Sequence, residues 1–260
     1  RHTRFRNVTG VQTCALPICG PRRPRRRHRH GLARTVTRRT GIIGGTFDPI
    51  HVGHLDAAAA AQSALALDEV LFLPAHGSPL RAGDAQASPF HRFAMVALAI
   101  DDVSSYRVSD AELERQGRSY TIDTLRGLHA HGYSPAQLFF IVGTDAFADI
   151  AAWHGYPAVL DAAHFVVIAR PGTSIDATLA RMPELRARTS VPPAAVVDGT
   201  RIFLVHANTR DVSSTSIRAR LRGGRPVGGL VPQSVARHIA AHHLYQTDTT
   251  LHGKEDSNSA

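Results

Sequence analysis

From Thr40 onward, short continuous apolar runs alternate with longer stretches of helical period. "GIIGG" predicts a short strand ending in glycines, and "HLDAAAAAQSALAL" predicts a helix with Leu55, Ala59 and Ala66 among its apolar positions. "EVLFLP" predicts a buried strand stopped by Pro74, followed by a Gly-, Pro- and Ser-rich loop, "AHGSPLRAGDAQAS". "SPFHRFAMVALAI" predicts a helix with Ser88 as N-cap and Pro89 at its first position. "SYRVSD" is a weaker strand, and "SYTIDTLRGLHAHG" is a helix ended by Gly132. "QLFFIVG" is the clearest strand of all. A broken helix over "TDAFADIAAWHGYPAVLDA" and a strand over "HFVVIARPG" come next. Residues 172–200 predict a short helix and loop, "RIFLVH" the last strand, and "SSTSIRARLRGG" and "PQSVARHIAAHHLY" two closing helices.

The strands are apolar throughout and do not alternate, as expected of parallel strands covered on both faces. With strand–helix alternation this predicts an α/β fold, a doubly wound Rossmann-like parallel sheet in one catalytic domain. Such sheets bind ligands beyond the carboxyl ends of their strands, where the strand order reverses. Residues 44–54, 74–81, 143–145, 169–172 and 206–218 are therefore the positions where chemistry is expected.

Charge changes this picture little once it is located. The formal net charge of +9 invites a nucleic-acid reading, but 12 of the 30 basic residues lie in residues 1–40, which hold no acid. The other 18 face 21 acidic residues, so residues 41–260 carry a net −3 and the core is not expected to bind nucleic acid. Both cysteines, Cys14 and Cys19, also lie near the start, so the core has neither disulfides nor cysteine-ligated zinc. Residues 1–39 read as a basic, disordered or artefactual extension, 40–247 as the domain, and 248–260 as a disordered tail. No stretch approaches about 18 apolar residues, so no membrane span is expected.

"GIIGGTFDPIHVGHL" at residues 41–55 holds the densest chemistry. Its glycines do not fit the dinucleotide fingerprint, and the lysine of a Walker loop is absent. His51 and His54 alone are too few ligands for a metal. A phosphate site remains. Gly44 and Gly45 let backbone N–H groups approach a polyphosphate, and a helix N-terminus and two imidazoles add positive potential. "SSTSIR" offers a second helix start, where Ser213, Ser214 and Thr215 are either plain cap residues or phosphate ligands, with Arg218 one turn on. Asp145 reads equally as a helix N-cap or an acceptor for sugar hydroxyls. Trp153, the only tryptophan, reads as core or as a stacking platform.

The string "HVGH" resembles the HxGH signature of the nucleotidylyltransferase superfamily. With "SYTIDTL", "FFIVGTDAFADIAAWHGYPAVLDAAHFVVIARPG" and "VSSTSIRARLRGGRPVGGLVPQSVARHIAAHHLY" in order, the core from about Thr40 to about Tyr245 is similar to bacterial nicotinate-nucleotide adenylyltransferases. The resemblance implies transfer of an adenylyl group from ATP to nicotinate mononucleotide in NAD biosynthesis, with release of pyrophosphate. It implies His51, His54 and Arg218 as catalytic groups, and ATP contacts from Gly44, Gly45, Thr46, Phe47, Arg170, Ser213, Ser214 and Thr215. It also implies that Trp153 stacks on the pyridine ring, that backbone N–H groups near Thr121 and His154 hold its carboxylate, and that Asp145 accepts from ribose hydroxyls. Arg81 stands where the family often has a basic residue after Pro-Pro-His, but here the chain reads Ser-Pro-Leu-Arg. Magnesium is expected only as the companion of ATP, without a dedicated protein metal site. A cytoplasmic location is implied, with homo-oligomerisation left open. Related enzymes with nicotinamide mononucleotide or phosphopantetheine as acceptor are the nearest alternative, and a nucleic-acid binder acting through the arginine tail a more distant one.

Overall fold

The computed structural model describes residues 38–77, 85–115, 117–169, 175–192 and 199–246. Seven strands form one sheet: β1 Thr40–Gly45, β2 Glu69–Pro74, β3 Tyr106–Val108, β4 Leu138–Gly143, β5 His164–Ala169, β6 Thr189–Ser190 and β7 Ile202–His206. Their order is β3-β2-β1-β4-β5-β7-β6 and every pairing is parallel. The doubly wound expectation is met, and the order reverses between β1 and β4.

The helices among the described residues are α1 Val52–Leu65, α2 Pro89–Ile100, α3 Thr121–Ala130, α4 Thr144–Ala148, α5 Asp176–Arg181, α6 Pro183–Arg186, α7 Ser214–Arg222 and α8 Gln233–Ala241. Alternate side chains of the central strands point to opposite faces, so the sheet divides the core in two. On one face Ile43, Val70, Phe72 and Phe139 pack with α1, α2 and α8. On the other Ile42, Phe140, Phe165 and Val167 pack with Leu125 of α3, Phe147 of α4 and Leu179 of α5.

Most elements begin and end for the reasons visible in the residues. Ser88 caps α2, its Oγ accepting from the His91 N–H at 3.3 Å, with Pro89 in the first turn. The predicted broken helix is broken: after α4 come two 3-10 turns, Ile150–Ala152 and Ala158–Asp161. Two expectations are corrected. In α1 the buried positions are Val52, Gly53, Ala58, Ala61 and Leu65, while Ala59 and Ala66 are exposed. Alanine on every side leaves little amphipathic contrast to orient a helix. Residues 175–190 hold two short helices and a two-residue edge strand, where one helix and a loop were expected. Ile202 accepts Thr189 as its ladder partner although neither Thr189 nor Ser190 is buried, so no apolar run announces β6.

Arg38 and Arg39, just ahead of β1, bond to the residues where β2 begins. Arg38 Nη2 donates to Glu69 Oε2 at 2.7 Å, and the Arg39 N–H donates to Asp68 Oδ2 at 2.7 Å. Residues 1–37 and 247–260 lie outside the described residues. No helix among the described residues is long and apolar enough to cross a membrane.

Candidate active site

The chain leaves β1 through α1 toward β2, and leaves β4 through α4 toward β5. The β1–β4 ladder runs only from Thr40–Leu138 to Ile42–Phe140, and beyond it the two strand ends diverge. A cavity of about 510 Å³ opens there. Gly44, Gly45, Thr46, Phe47 and His54 form one wall, and Thr121, Phe140, Asp145 and Trp153 are among the residues of the other.

The loop after β1 is held in one shape. Phe47 is left-handed, with φ 49°, a conformation costly for a bulky residue. Burial sustains it: the ring is 2 % exposed and meets His54 edge-on at 5.0 Å. A Cβ on Gly45 would lie 3.3 Å from that ring, so glycine permits the close fold. Next to it Asp48 is buried and accepts from the N–H groups of Gln86 and Ala87 at 2.9 and 3.0 Å and from the Tyr245 hydroxyl at 2.8 Å. Burial and the neighbouring Asp48 carboxylate push the Tyr245 phenol up, so it stays a neutral donor.

Arg92 of α2 is fully buried beneath the same loop. Its guanidinium donates to the carbonyls of Thr46 (2.7 Å), Ala75 (2.6 Å), His76 (3.1 Å) and Ala87 (3.3 Å). Desolvation lowers its pKa, and Asp48 opposes the shift. Arg218 of α7 approaches from the other side, with Nη1 on the Asp48 carbonyl at 2.7 Å and 3.6 Å from its carboxylate. Two guanidinium groups thus surround one carboxylate under the loop, leaving local positive charge for an anion in the cavity. Sequence reasoning missed Asp48, Arg92 and Tyr245. Asp48 stands inside the motif it inspected, but Arg92 and Tyr245 are far away in sequence with no local pattern to mark them.

His51 and His54 occupy different settings. His51 precedes α1 as its N-cap residue and is 4 % exposed; its backbone N–H donates to His54 Nδ1 at 3.2 Å. The rings stack at 3.7 Å. Accepting at Nδ1 assigns the proton of the neutral His54 ring to Nε2. Of the two, only His54 lines the cavity. Gly53 between them has a packing reason: a Cβ there would lie 3.1 Å from the Arg210 carbonyl and 3.2 Å from the His51 ring. Arg210 is itself pinned to α1 by two side-chain bonds to Asp56, at 2.9 and 2.7 Å. Those bonds, with the charge of Arg210, hold the Asp56 carboxyl below its usual range.

At the start of α7, Ser213 accepts from the Ser216 N–H at 3.1 Å and caps the helix. Ser214 is buried, donates to the Pro49 carbonyl at 2.9 Å and lines the cavity. Thr215 is exposed, 3.4 Å from Arg218 Nη2, and neither Ser213, Thr215 nor Arg218 lines the cavity. Thr209, in the loop before α7, does line it, and its buried Oγ1 has no partner among the described residues.

On the opposite wall Trp153 packs edge-on to Phe140 at 6.0 Å and near Phe165 at 6.3 Å while facing the cavity. It is therefore both core and wall. Asp145 is exposed in the first turn of α4, whose N-cap is Gly143, so the plain cap reading does not apply. Thr121 opens α3 at the cavity edge, and no side chain caps that helix. His154 is exposed and rests on Tyr120 at 4.4 Å, away from the cavity lining. Glu112, which sequence reasoning did not single out, lines the cavity; burial raises its pKa, and it accepts from Thr124 Oγ1 at 2.6 Å. Arg81 and Arg170 lie outside the described residues.

Residues 42–220 match the cytidylyltransferase-like family. The chain is 42% identical over 206 residues to a probable nicotinate-nucleotide adenylyltransferase of Roseiflexus sp., covering 79% of this chain and 97% of that one. It is 40% identical over 215 residues to the protein of the same description from Geobacter sulfurreducens, covering 81% and 99%. Among solved structures, the Plasmodium falciparum nicotinic acid mononucleotide adenylyltransferase complexed with NaAD superposes with a TM-score of 0.60 at 18% identity, over 80% of this chain and 97% of that one. That likeness is one of fold.

Proposed function

Because the chain belongs to the cytidylyltransferase-like family and, within it, to the nicotinate-nucleotide adenylyltransferases, we propose that it joins ATP and nicotinate mononucleotide to give deamido-NAD and pyrophosphate. The observation that carries the reading is one cavity at the β1–β4 divergence, walled on one side by the glycine loop and His54 and on the other by Trp153, Thr121 and Asp145. A phosphate donor and a flat aromatic acceptor find complementary walls there.

The chemistry follows from the substrates. A phosphate oxygen of the mononucleotide attacks the α-phosphorus of ATP, the new P–O bond forms, and the bond from the α-phosphorus to the bridging oxygen breaks with pyrophosphate leaving. The nucleophile is already an anion, so no general base is required. The protein's task is in-line positioning and neutralisation of charge. His54, through Nε2, is the donor for the α-phosphate. His51 acts behind it, fixing the ring by stacking and by its N–H on Nδ1. Arg92 and Arg218 supply charge beneath the loop, and Ser214 ties the start of α7 to it. Gly44, Gly45, Thr46 and Phe47 are read as contacts of the triphosphate, together with Arg170, Ser213 and Thr215; Asp145 as a ribose acceptor; and Arg81 and His154 as outer contacts of the mononucleotide.

The fit to magnesium is limited on the protein's side. Asp48, the carboxylate nearest the phosphate loop, already accepts three hydrogen bonds, so the loop offers no carboxylate set for an ion. Magnesium would come with the phosphates of ATP, its common mode of binding. The test is product analysis after mixing the purified protein with ATP and each of nicotinate mononucleotide, nicotinamide mononucleotide and phosphopantetheine. Deamido-NAD and pyrophosphate are expected with the first. Their absence there, or a faster reaction with another acceptor, overturns the reading.

A further inference from the structure

Three histidines converge on the face of the domain formed by α2 and α8. His91 lies in the first turn of α2, and His238 and His242 lie one turn apart at the end of α8. One ring nitrogen from each falls within 4.8 Å of the others. His91 Nδ1 and His238 Nε2 are already 3.1 Å apart, and the His242 ring lies 4.8 Å from that of His91 and 4.4 Å from that of His238. His91 and His238 are partly buried, while His242 is exposed. This group has no part in the cavity.

We propose that His91, His238 and His242 form a binding site for a divalent transition-metal ion of the zinc class, separate from the reaction site. Three imidazoles with no carboxylate suit zinc and its borderline neighbours and do not suit magnesium or calcium. Two ligands about 2.0–2.1 Å from a tetrahedral zinc ion stand roughly 3.3 Å from each other. The His91–His238 separation is close to that value, so the ion would be held by these two nitrogens with little movement of either ring. His242 completes the set by a side-chain rotation, its exposure leaving the ring room to move. Water fills the fourth position from the solvent side. A pair one turn apart on a helix is a natural chelate, because residues four apart share a face.

The site would also have a consequence for the domain. It would fasten α8 to α2 at a point next to Arg92, which holds the carbonyls of Thr46, Ala75 and His76. Tyr245, a few residues after His242, bonds Asp48 of the same loop. The ion would therefore brace both helices that support the phosphate loop without touching substrate.

The test uses the full chain stripped of metal by a chelator. Zinc affinity is measured by competition with a chromogenic chelator, and Co²⁺ serves as a spectroscopic probe. Wild type is compared with His242→Ala and with His238→Asn. The proposal expects one tight zinc equivalent and Co²⁺ bands of tetrahedral nitrogen coordination without thiolate charge transfer, which separates this site from Cys14 and Cys19. Each variant should lose more than about 100-fold in affinity, since losing even an outer partner of a ligand costs roughly 10–100-fold. Zinc at about 100 times its dissociation constant should raise the wild-type melting temperature by roughly 5–10 °C and leave both variants unmoved. Equal zinc affinity in wild type and both variants, or thiolate bands with Co²⁺, overturns the proposal. A His242→Ala variant with native circular dichroism keeps the comparison valid should His238→Asn misfold.

Discussion

At the scale of single residues, the two histidines of one motif sit in unlike settings, His51 buried and His54 on the cavity wall. In the proposed mechanism His51 is the wedge and His54 the donor, with the backbone N–H of the first setting the tautomer of the second. His54→Ala is expected to lower kcat by at least about 100-fold, the usual cost of removing a preorganised donor to developing charge. Circular dichroism should stay native, since the ring is a partner of the loop and not its anchor. Steady-state rates within threefold of wild type would take His54 out of the mechanism. The meeting of the glycines and His54 on one cavity wall was legible in the sequence because those residues lie within one short stretch of chain. The partition of roles was not. It depends on how far each ring is covered by Phe47 and by the loop around Arg210, which meets the motif from more than 150 residues away.

At the scale of elements, β1, β2, β4, β5 and β7 were legible because each is dominated by an apolar run, β6 was not because it is Thr-Ser, and α1 was legible as a helix but not in its orientation, because alanine covers all its faces. The strap that joins α2, the phosphate loop and the segment after α8 was invisible, since it joins Asp48, Arg92 and Tyr245 through tertiary contacts alone. Tyr245→Phe removes one donor from a buried carboxylate, where such bonds are worth about 1.5–3 kcal/mol. The melting temperature should fall by roughly 3–10 °C, and an unchanged value would show that the strap carries no load. A second element hides a titrating group. His164 opens β5 fully buried, stacked on Phe139 at 4.7 Å, with Nδ1 accepting from the Arg201 N–H at 2.9 Å. Burial pulls its pKa from 6.5 down to about 4. Below pH 6.5 the unfolded chain takes up a proton that the folded chain refuses, so stability is complete above that pH and falls as the pH drops toward 4. The loss is on the order of 3 kcal/mol. His164→Asn keeps an acceptor for Arg201 and removes the titration. Its melting temperature should fall less steeply than that of wild type between pH 6.5 and 4, and parallel curves would assign the acid sensitivity to other groups.

At the scale of the whole molecule, the doubly wound sheet places the glycine loop with His54 and the Trp153 wall around one crevice, and on the proposed reading this arrangement selects the acceptor. The two candidate mononucleotides differ in a single group on the pyridine ring, a carboxylate against an amide. Thr121 opens α3 at the cavity edge with no side chain capping the helix, and the proposed site uses the backbone N–H groups and the positive end of the dipole at that helix start to receive the ring's substituent. A carboxylate is charged and accepts at both oxygens, so it satisfies such donors fully. An amide must turn its NH₂ toward one of them, and a buried donor left unpaired costs roughly 1–3 kcal/mol. Sites built on polar complementarity of this kind discriminate by as much as roughly 10⁴. Trp153 presents the same ring face to both substrates, so it contributes affinity and not choice. The expected outcome is a kcat/KM strongly in favour of nicotinate mononucleotide in the wild type. Trp153→Ala should raise KM for that substrate while keeping the preference, provided its packing on Phe140 and Phe165 tolerates the smaller side chain, which a melting curve checks. Equal kcat/KM values for the two mononucleotides on the wild type would remove the role assigned to the start of α3. A preference that collapses in a folded Trp153→Ala variant would move the discrimination from the helix terminus to the stacked ring.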